Sequence, residues 1–148
     1  MKHSEQIVRA FFDAVTAGNL PDAILTEDMT AWTTTQGEMS KKAYQGVIRI
    51  LRSISSIPLT FIIDAITAEE DRICAELRSH GVLINGEIYE NTYFFAFRID
   101  DGRIARVSEH YNALIVQEKM MPLVRSITSS EPLASLPAPL QSGQDFLA

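Results

Sequence analysis

The chain has 148 residues, 46% hydrophobic and 22% charged, with 13 Lys and Arg against 19 Asp and Glu for a net charge of −6. That is the size and composition of one globular domain with a core of its own. The acidic balance argues against binding to nucleic acid or anionic membranes, which need basic surface, and no run approaches the roughly 18 apolar residues of a membrane span.

The first 18 residues mix Lys2, Glu5, Arg9 and Asp13 with apolar side chains, unlike the unbroken apolar block of a signal peptide. The expected location is therefore cytoplasmic. Ile7, Val8, Phe11, Phe12 and Val15 recur at the spacing of an amphipathic helix. Ser4 is its candidate N-cap, Glu5 suits the positive first turn, and Gly18 is the residue that ends it. Pro21 sits at the start of a short second helix running to Leu25, where a missing N–H is tolerated. A Thr-rich strand over 29–35 has Trp32 at its centre and is broken by Gln36-Gly37. Ser40 then caps a third helix, with Ala43, Val47, Ile50, Leu51 and Ile54 on its apolar side and Ser53 to Pro58 closing it.

Strands dominate from there. They are expected over 59–67, 72–80, 88–99 and 103–116, with a polar turn at Glu69-Glu70-Asp71 and a hairpin turn at Asp100-Asp101-Gly102. Residues 81–86 read as a bulged connection or a wide hairpin. Helices followed by a four-strand meander indicate an α+β fold. The lone cysteine, Cys74, lies in the run Ile73-Cys74-Ala75 and reads as a small buried hydrophobe. No Cys/His spacing suits zinc, and neither a Gly-rich phosphate loop nor a nucleophile elbow occurs, so no metal or cofactor is expected. Residues 127–148 hold three of the six prolines, four serines and no Lys or Arg. They read as a Pro/Ser/Leu-rich tail following a domain over 1–126, packed on its own or a partner subunit through Leu133, Leu136, Leu140, Phe146 and Leu147.

One stretch carries a family resemblance. The segment GEIYENTYFFAFR from Gly86 to Arg98, the turn Asp101-Gly102-Arg103-Ile104 and the run Ser108-Glu109-His110-Tyr111-Asn112 resemble the signature of SnoaL-like domains, in the nuclear transport factor 2-like superfamily. The opening FFDAVTAGNL and the Trp32 strand leading to Tyr44-Gln45-Gly46 resemble the N-terminal half of that family. The resemblance runs from Ser4 to Gln117. It implies a cone in which three N-terminal helices cover the concave side of a curved antiparallel sheet. It also implies a pocket for a small-molecule ligand between them, and a homodimer formed through the outer sheet face.

Strand alternation selects candidate site residues. On the last strand Ala105, Val107, Glu109, Tyr111 and Ala113 share one face, and the apolar company of Glu109 turns it toward the core; His110 then points outward. A carboxyl in such surroundings is pushed toward the pKa range useful for acid–base work. The alternative is a structural Glu109, hydrogen-bonded to a Tyr or Trp or paired with Arg78. Limonene-1,2-epoxide hydrolase, a distant relative, uses an Arg-x-Asp on one strand and an Asp on the last, positions that fall here on Arg78, His80 and Glu109. The Arg is kept and both acids are changed, but a His80/Glu109 pair could still activate water or move a proton, so Glu109, His80 and Arg78 are the candidate catalytic residues. Ile73, Ala75 and Leu77 form the apolar face of that strand, so Arg78 and His80 reach the pocket only if a bulge turns them inward. The acids of ketosteroid isomerase have no counterpart: its positions fall on Phe11, near Thr33, and near Tyr93 or Phe94. Trp32, Tyr44, Asn91, Tyr93 and Tyr111 are candidate ligand-binding groups, with core packing as the alternative for each. Two functions follow. One is an enzyme performing proton transfer or water addition on a small apolar molecule, of isomerase, hydrolase or cyclase type. The other is a non-catalytic ligand-binding or protein-association module.

Overall fold

Helix α1 (Lys2–Ala17) leads the chain in a computed structural model that describes residues 2–128. It starts before Ser4, which is therefore an early helical residue and not its cap. Its stripe is as expected: Val8, Phe11, Phe12 and Val15 are buried. Phe11 and Phe12 pack edge-on against Phe95 and Phe97, at centroid distances between 4.9 and 6.2 Å, a preferred aromatic geometry. Gly18 ends the helix at φ +77°, where its N–H donates to Val15 O. A Cβ there would also collide with the Arg52 side chain, so glycine is required twice over.

The short helix expected from Pro21 is a single 3-10 turn, Asp22–Ile24, leading directly into β1 (Leu25–Thr33), which starts four residues earlier than expected. A turn through Gln36 reverses the chain into β2 (Gly37–Ser40). Ser40 caps α2 (Lys41–Ser53), its Oγ accepting from Ala43 N at 3.2 Å. Four strands then form the meander: β3 (Ser55–Glu69), β4 (Arg72–Leu83), β5 (Ile88–Asp100) and β6 (Arg103–Tyr111). Pro58 lies within β3 instead of before it. The position is permitted because β3 is an edge strand whose register shifts across Pro58, between Ile57 and Thr60. The β5–β6 hairpin turns at Asp101 and Gly102, both at positive φ.

The sheet runs β2-β1-β6-β5-β4-β3 and is open at both edges. All neighbours are antiparallel except β1 and β6, which pair in parallel. Inward side chains of the strands meet α1 and α2 in one cluster that includes Val8, Phe11, Tyr44, Leu77, Phe95 and Val107.

Two larger features also differ from expectation. Only two α-helices precede the meander. The missing cover comes from the C-terminal side, where the sequence pattern predicts strand over 113–116. There β6 stops at Tyr111 and Asn112 caps a helical segment with its Oδ1. The segment comprises α3 (Ala113–Ile115), a π-helical turn (Val116–Met120) and α4 (Met121–Thr128). Val116, Met120 and Met121 are buried and join Ile54, Leu59, Leu83 and Tyr89 in a second cluster. Ile127 and Thr128 close α4, and the remainder of the expected tail lies outside the described residues. Cys74 is half-buried, on the sheet face opposite Ile73 and Ala75. No helix among the described residues is long and apolar enough to cross a membrane.

Candidate functional site

A cavity of about 120 Å³ lies between α2, the concave sheet face and the C-terminal helices. Most of its wall is aliphatic or aromatic, supplied by side chains such as Val47, Leu51, Leu59, Phe61, Phe95 and Met120. At one end stand the polar residues Thr33, Thr35, Gln36, Tyr44, Glu109 and Tyr111. The parallel pairing of β1 with β6 builds this end, setting Thr33 beside Glu109. Thr34 N donates to Glu109 O at 3.1 Å, and Tyr111 N donates to Thr34 Oγ1 at 3.2 Å. The β1–β2 turn is thereby pinned across the end of β6.

Glu109 is the acidic group of the wall. Ala105 and Val107 are buried on its strand face, and Tyr111 follows on that face. Glu109 is half-buried and lines the cavity. Tyr44 OH donates to Glu109 Oε1 at 2.8 Å. Burial drives the carboxyl pKa from its ordinary 4.5 up to about 7, while the Tyr44 hydrogen bond opposes the rise. The same burial, with Glu109 close by, holds the Tyr44 hydroxyl well above its ordinary range, so it stays a proton donor.

The other tyrosines are anchored in the same way. Tyr111 OH is within hydrogen-bond reach of Thr35 Oγ1 and accepts from Thr35 N at 3.3 Å. Tyr93 OH lies 2.8 Å from Ser79 Oγ. Burial raises both hydroxyls. Tyr44, Tyr93 and Tyr111 thus reach the cavity wall together with Glu109.

The remaining sequence candidates lie elsewhere. Arg78 and His80 sit on the outer face of β4, because the register shifts of this region fall in β3 and leave the alternation of β4 intact. Arg78 makes a two-pronged ion pair with Asp64, at 2.9 Å on both prongs. Neither residue lines the cavity, and the Arg78 pairing considered for Glu109 does not form. Trp32 is turned outward as well. Its neighbours Ala31 and Thr33 take the inward positions, and the indole lies over the His110 ring at 4.8 Å. Asn91 is buried but spent on structure: Nδ2 donates to Tyr89 OH and Asn112 O, and Oδ1 accepts from Thr92 N and Asn112 N. It fixes the point where β6 hands over to the helical segment.

Several wall residues escaped the sequence reading, among them Gln36, Tyr89, Val116, Met120, Met121 and Val124. A signal for the last four existed. Val116, Met120, Met121 and Val124 follow the i, i+4, i+5, i+8 pattern behind the capping residue Asn112. Among the described residues no cluster of three or more His, Cys, Asp or Glu side chains is placed to hold a metal ion.

Residues 8–107 match the family model described as the SnoaL-like domain. The chain belongs to that family. This SnoaL-like chain has the fold of nuclear transport factor 2-like proteins. It superposes on PrhC from Penicillium brasilianum with a TM-score of 0.74 at 15% identity, over 87% of this chain and 93% of that one. An NTF2-like protein from Anabaena variabilis gives a TM-score of 0.68 at 20% identity, over 75% and 87% of the two chains. An LEH-like epoxide hydrolase from M. tuberculosis gives 0.65 at 16% identity, over 87% and 98%. No curated protein matches the sequence.

Proposed function

We propose that this SnoaL-like protein binds a small, largely apolar molecule in the cavity and catalyses proton transfer or water addition on it, with Glu109 as the acid or base. One observation carries the reading: a single carboxyl, raised to a pKa of about 7, stands at the polar end of an otherwise apolar cavity. A group poised there can give or take a proton at neutral pH. Tyr44 holds one carboxyl oxygen and leaves the other for a ligand. The structural likeness to an epoxide hydrolase agrees with chemistry that adds water, although Arg78 and His80 stand away from Glu109 and take no part in the step proposed. Isomerase, hydrolase and cyclase reactions all fit a lone carboxyl of this kind.

A second reading, a non-catalytic ligand binder, draws on the absence of a partner near neutrality. Among the described residues lining the cavity, the titratable groups besides Glu109 are tyrosines held protonated. On either reading a homodimer through the outer sheet face is proposed, supported by the exposed side chains of Ile62, Ile88 and Phe94. Sedimentation at micromolar concentration tests it, and a monomer would end it.

The test of function is a thermal-shift screen of small apolar compounds on wild type and Glu109→Gln, followed by an assay of each hit for conversion. Hits converted by the wild type and merely bound by Glu109→Gln support the enzyme. Hits bound and never converted support the binder, and a screen in which nothing shifts either protein sinks both.

A further inference from the structure

We propose that the cavity takes up a compact primary amine as its ammonium ion, with the charged head on Glu109 Oε2 and a single-ring hydrocarbon body against the apolar wall. The inference rests on the binding reading above and names the ligand class of that same site.

The two carboxyl oxygens of Glu109 are not equivalent. Oε1 accepts from Tyr44 OH at 2.8 Å, whereas Oε2 has no hydrogen-bond partner among the described residues. Nor is Oε2 sealed off. The one unpartnered side-chain atom without accessible surface among the described residues is Gln36 Oε1. Glu109 lines the cavity, and burial dominates the pKa of its carboxyl. The surface that Oε2 keeps therefore belongs to the cavity and not to the outside of the domain, where a donor carried by a ligand can reach it.

What the site lacks is a cation. The titratable groups that face Glu109 are Tyr44 from α2, Tyr89 and Tyr93 from β5, and Tyr111 on its own strand, all held protonated by burial. No Lys, Arg or His is found among the described residues lining the cavity. The Tyr44 hydrogen bond favours the ionised carboxyl, so the wall is arranged around a negative charge that no protein group neutralises. An ammonium ion supplies the missing charge and a donor for Oε2 in a charge-assisted bond. The rings add to this. Tyr93 has Phe61, Phe95 and Tyr111 around it at centroid distances of 5.7, 5.9 and 6.2 Å, and all four line the cavity. Aromatic walls attract cations through the ring quadrupole. A carboxylate or phosphate would instead be buried beside Glu109 with no counter-charge. The volume, about 120 Å³, is near that of an apolar cavity that takes up benzene, roughly 150 Å³. One ring therefore fits, with Met120 and Met121 able to adapt around it.

The experiment is calorimetric binding of cyclohexylamine, cyclohexanol and cyclohexanecarboxylate to the full chain at pH 7, with Glu109→Gln in parallel. The amine is expected to bind the wild type about tenfold more tightly than the alcohol, and the carboxylate not at all at millimolar concentration. A Glu109 of pKa about 7 is half protonated at this pH, and an ammonium beside it favours the carboxylate. Amine binding should therefore release about half a proton, read as a dependence of the enthalpy on the buffer's own ionisation enthalpy. In Glu109→Gln the amine's advantage should disappear and the proton release with it, while the alcohol changes by less than about twofold. A wild type that binds the alcohol as tightly as the amine overturns the amine reading and leaves the cavity reading standing. Amine binding without proton release overturns it too, and both of these comparisons hold even if the variant does not fold. An undiminished preference for the amine in a folded Glu109→Gln would place the cation elsewhere, with the same result. Failure of all three compounds to bind at millimolar concentration brings down the cavity reading and this inference together.

Discussion

The two faces of the sheet treat their charged residues in opposite ways. On the outer face Arg78 meets Asp64, and Arg106 meets Glu38 at 2.6 and 2.9 Å. Each carboxylate there is held below its ordinary pKa by the arginine hydrogen bond. On the concave face Glu109 has a neutral hydroxyl for a partner and an apolar wall for a neighbour, and its pKa goes the other way. The contrast is between the partner supplied and the water removed. An exposed ion pair keeps its hydration and changes little on folding. A desolvated carboxyl with no cation becomes the group most responsive to pH, and the one best suited to moving a proton.

The comparison can be broken at four points. The largest effect is expected on turnover. For any compound found to be converted, Glu109→Gln should lower kcat by about a thousandfold, within the span attributed to general acid–base groups. Steady-state kinetics at saturating substrate decides it, and Asp64→Ala should leave the same kcat unchanged.

Next is stability against pH. The native carboxyl of Glu109 binds its proton more tightly than the unfolded one, so its contribution is full below pH 4.5 and is lost as pH rises to about 7. That gap corresponds to roughly 3 kcal/mol. Urea unfolding across this window should show the decline in wild type and a flatter profile in Glu109→Gln. A wild type with no decline attributable to Glu109 would contradict the elevated pKa.

Tyr44→Phe is expected to be milder. It removes the hydrogen bond that favours the ionised carboxyl, so the Glu109 midpoint moves above about 7, with about 1 kcal/mol lost at high pH, where the carboxylate accepted it. Carboxyl-carbon NMR titration reads the shift, and a downward movement would be the wrong sign. Smallest of all, Asp64→Ala on the outer face should leave the unfolding midpoint unchanged within error, because both partners are exposed.

Much of this contrast was legible in the sequence. Alternation along Ile73, Ala75 and Leu77 points Arg78 and His80 to the outer face unless a bulge intervenes, and it is the intact alternation of β4 that removes them from the candidate site; alternation along Val107, Glu109 and Tyr111 points the carboxyl inward. β4 pairs with β5 without a break, and the register shift of β6 falls at Ala105, before Val107, so a period of two suffices over both runs. Reading failed where the pattern carries no direction or where tertiary pairing overrides it. Thr33, Thr34 and Thr35 give no apolar signal to say which way Trp32 points, and the parallel pairing with β6 decides it. The helical segment after Asn112 reads as more strand because Leu114, Ile115 and Val116 are apolar and short apolar runs are ambiguous between helix and strand. Gln36 could not have been singled out, since its place in the cavity wall depends on three-dimensional surroundings alone.

The π-helical turn at Val116–Met120 has a consequence for how the protein tolerates change in length. There Met121 N–H reaches back five residues, to Val116 O, so the segment carries one residue more than an α-helix needs. Removing that residue would restore regular winding and leave the hydrogen-bond ladder intact. The Met121 N–H bonded to Val116 O then becomes an ordinary i to i+4 pair, so Met121 and Val124 keep their places on the cavity wall. A single-residue deletion inside the turn is therefore absorbed where it falls, whereas one within α4 would rotate the residues after it by about 100° about the helix axis. The wide turn is slack in the chain, placed where a change of length leaves the container as it was.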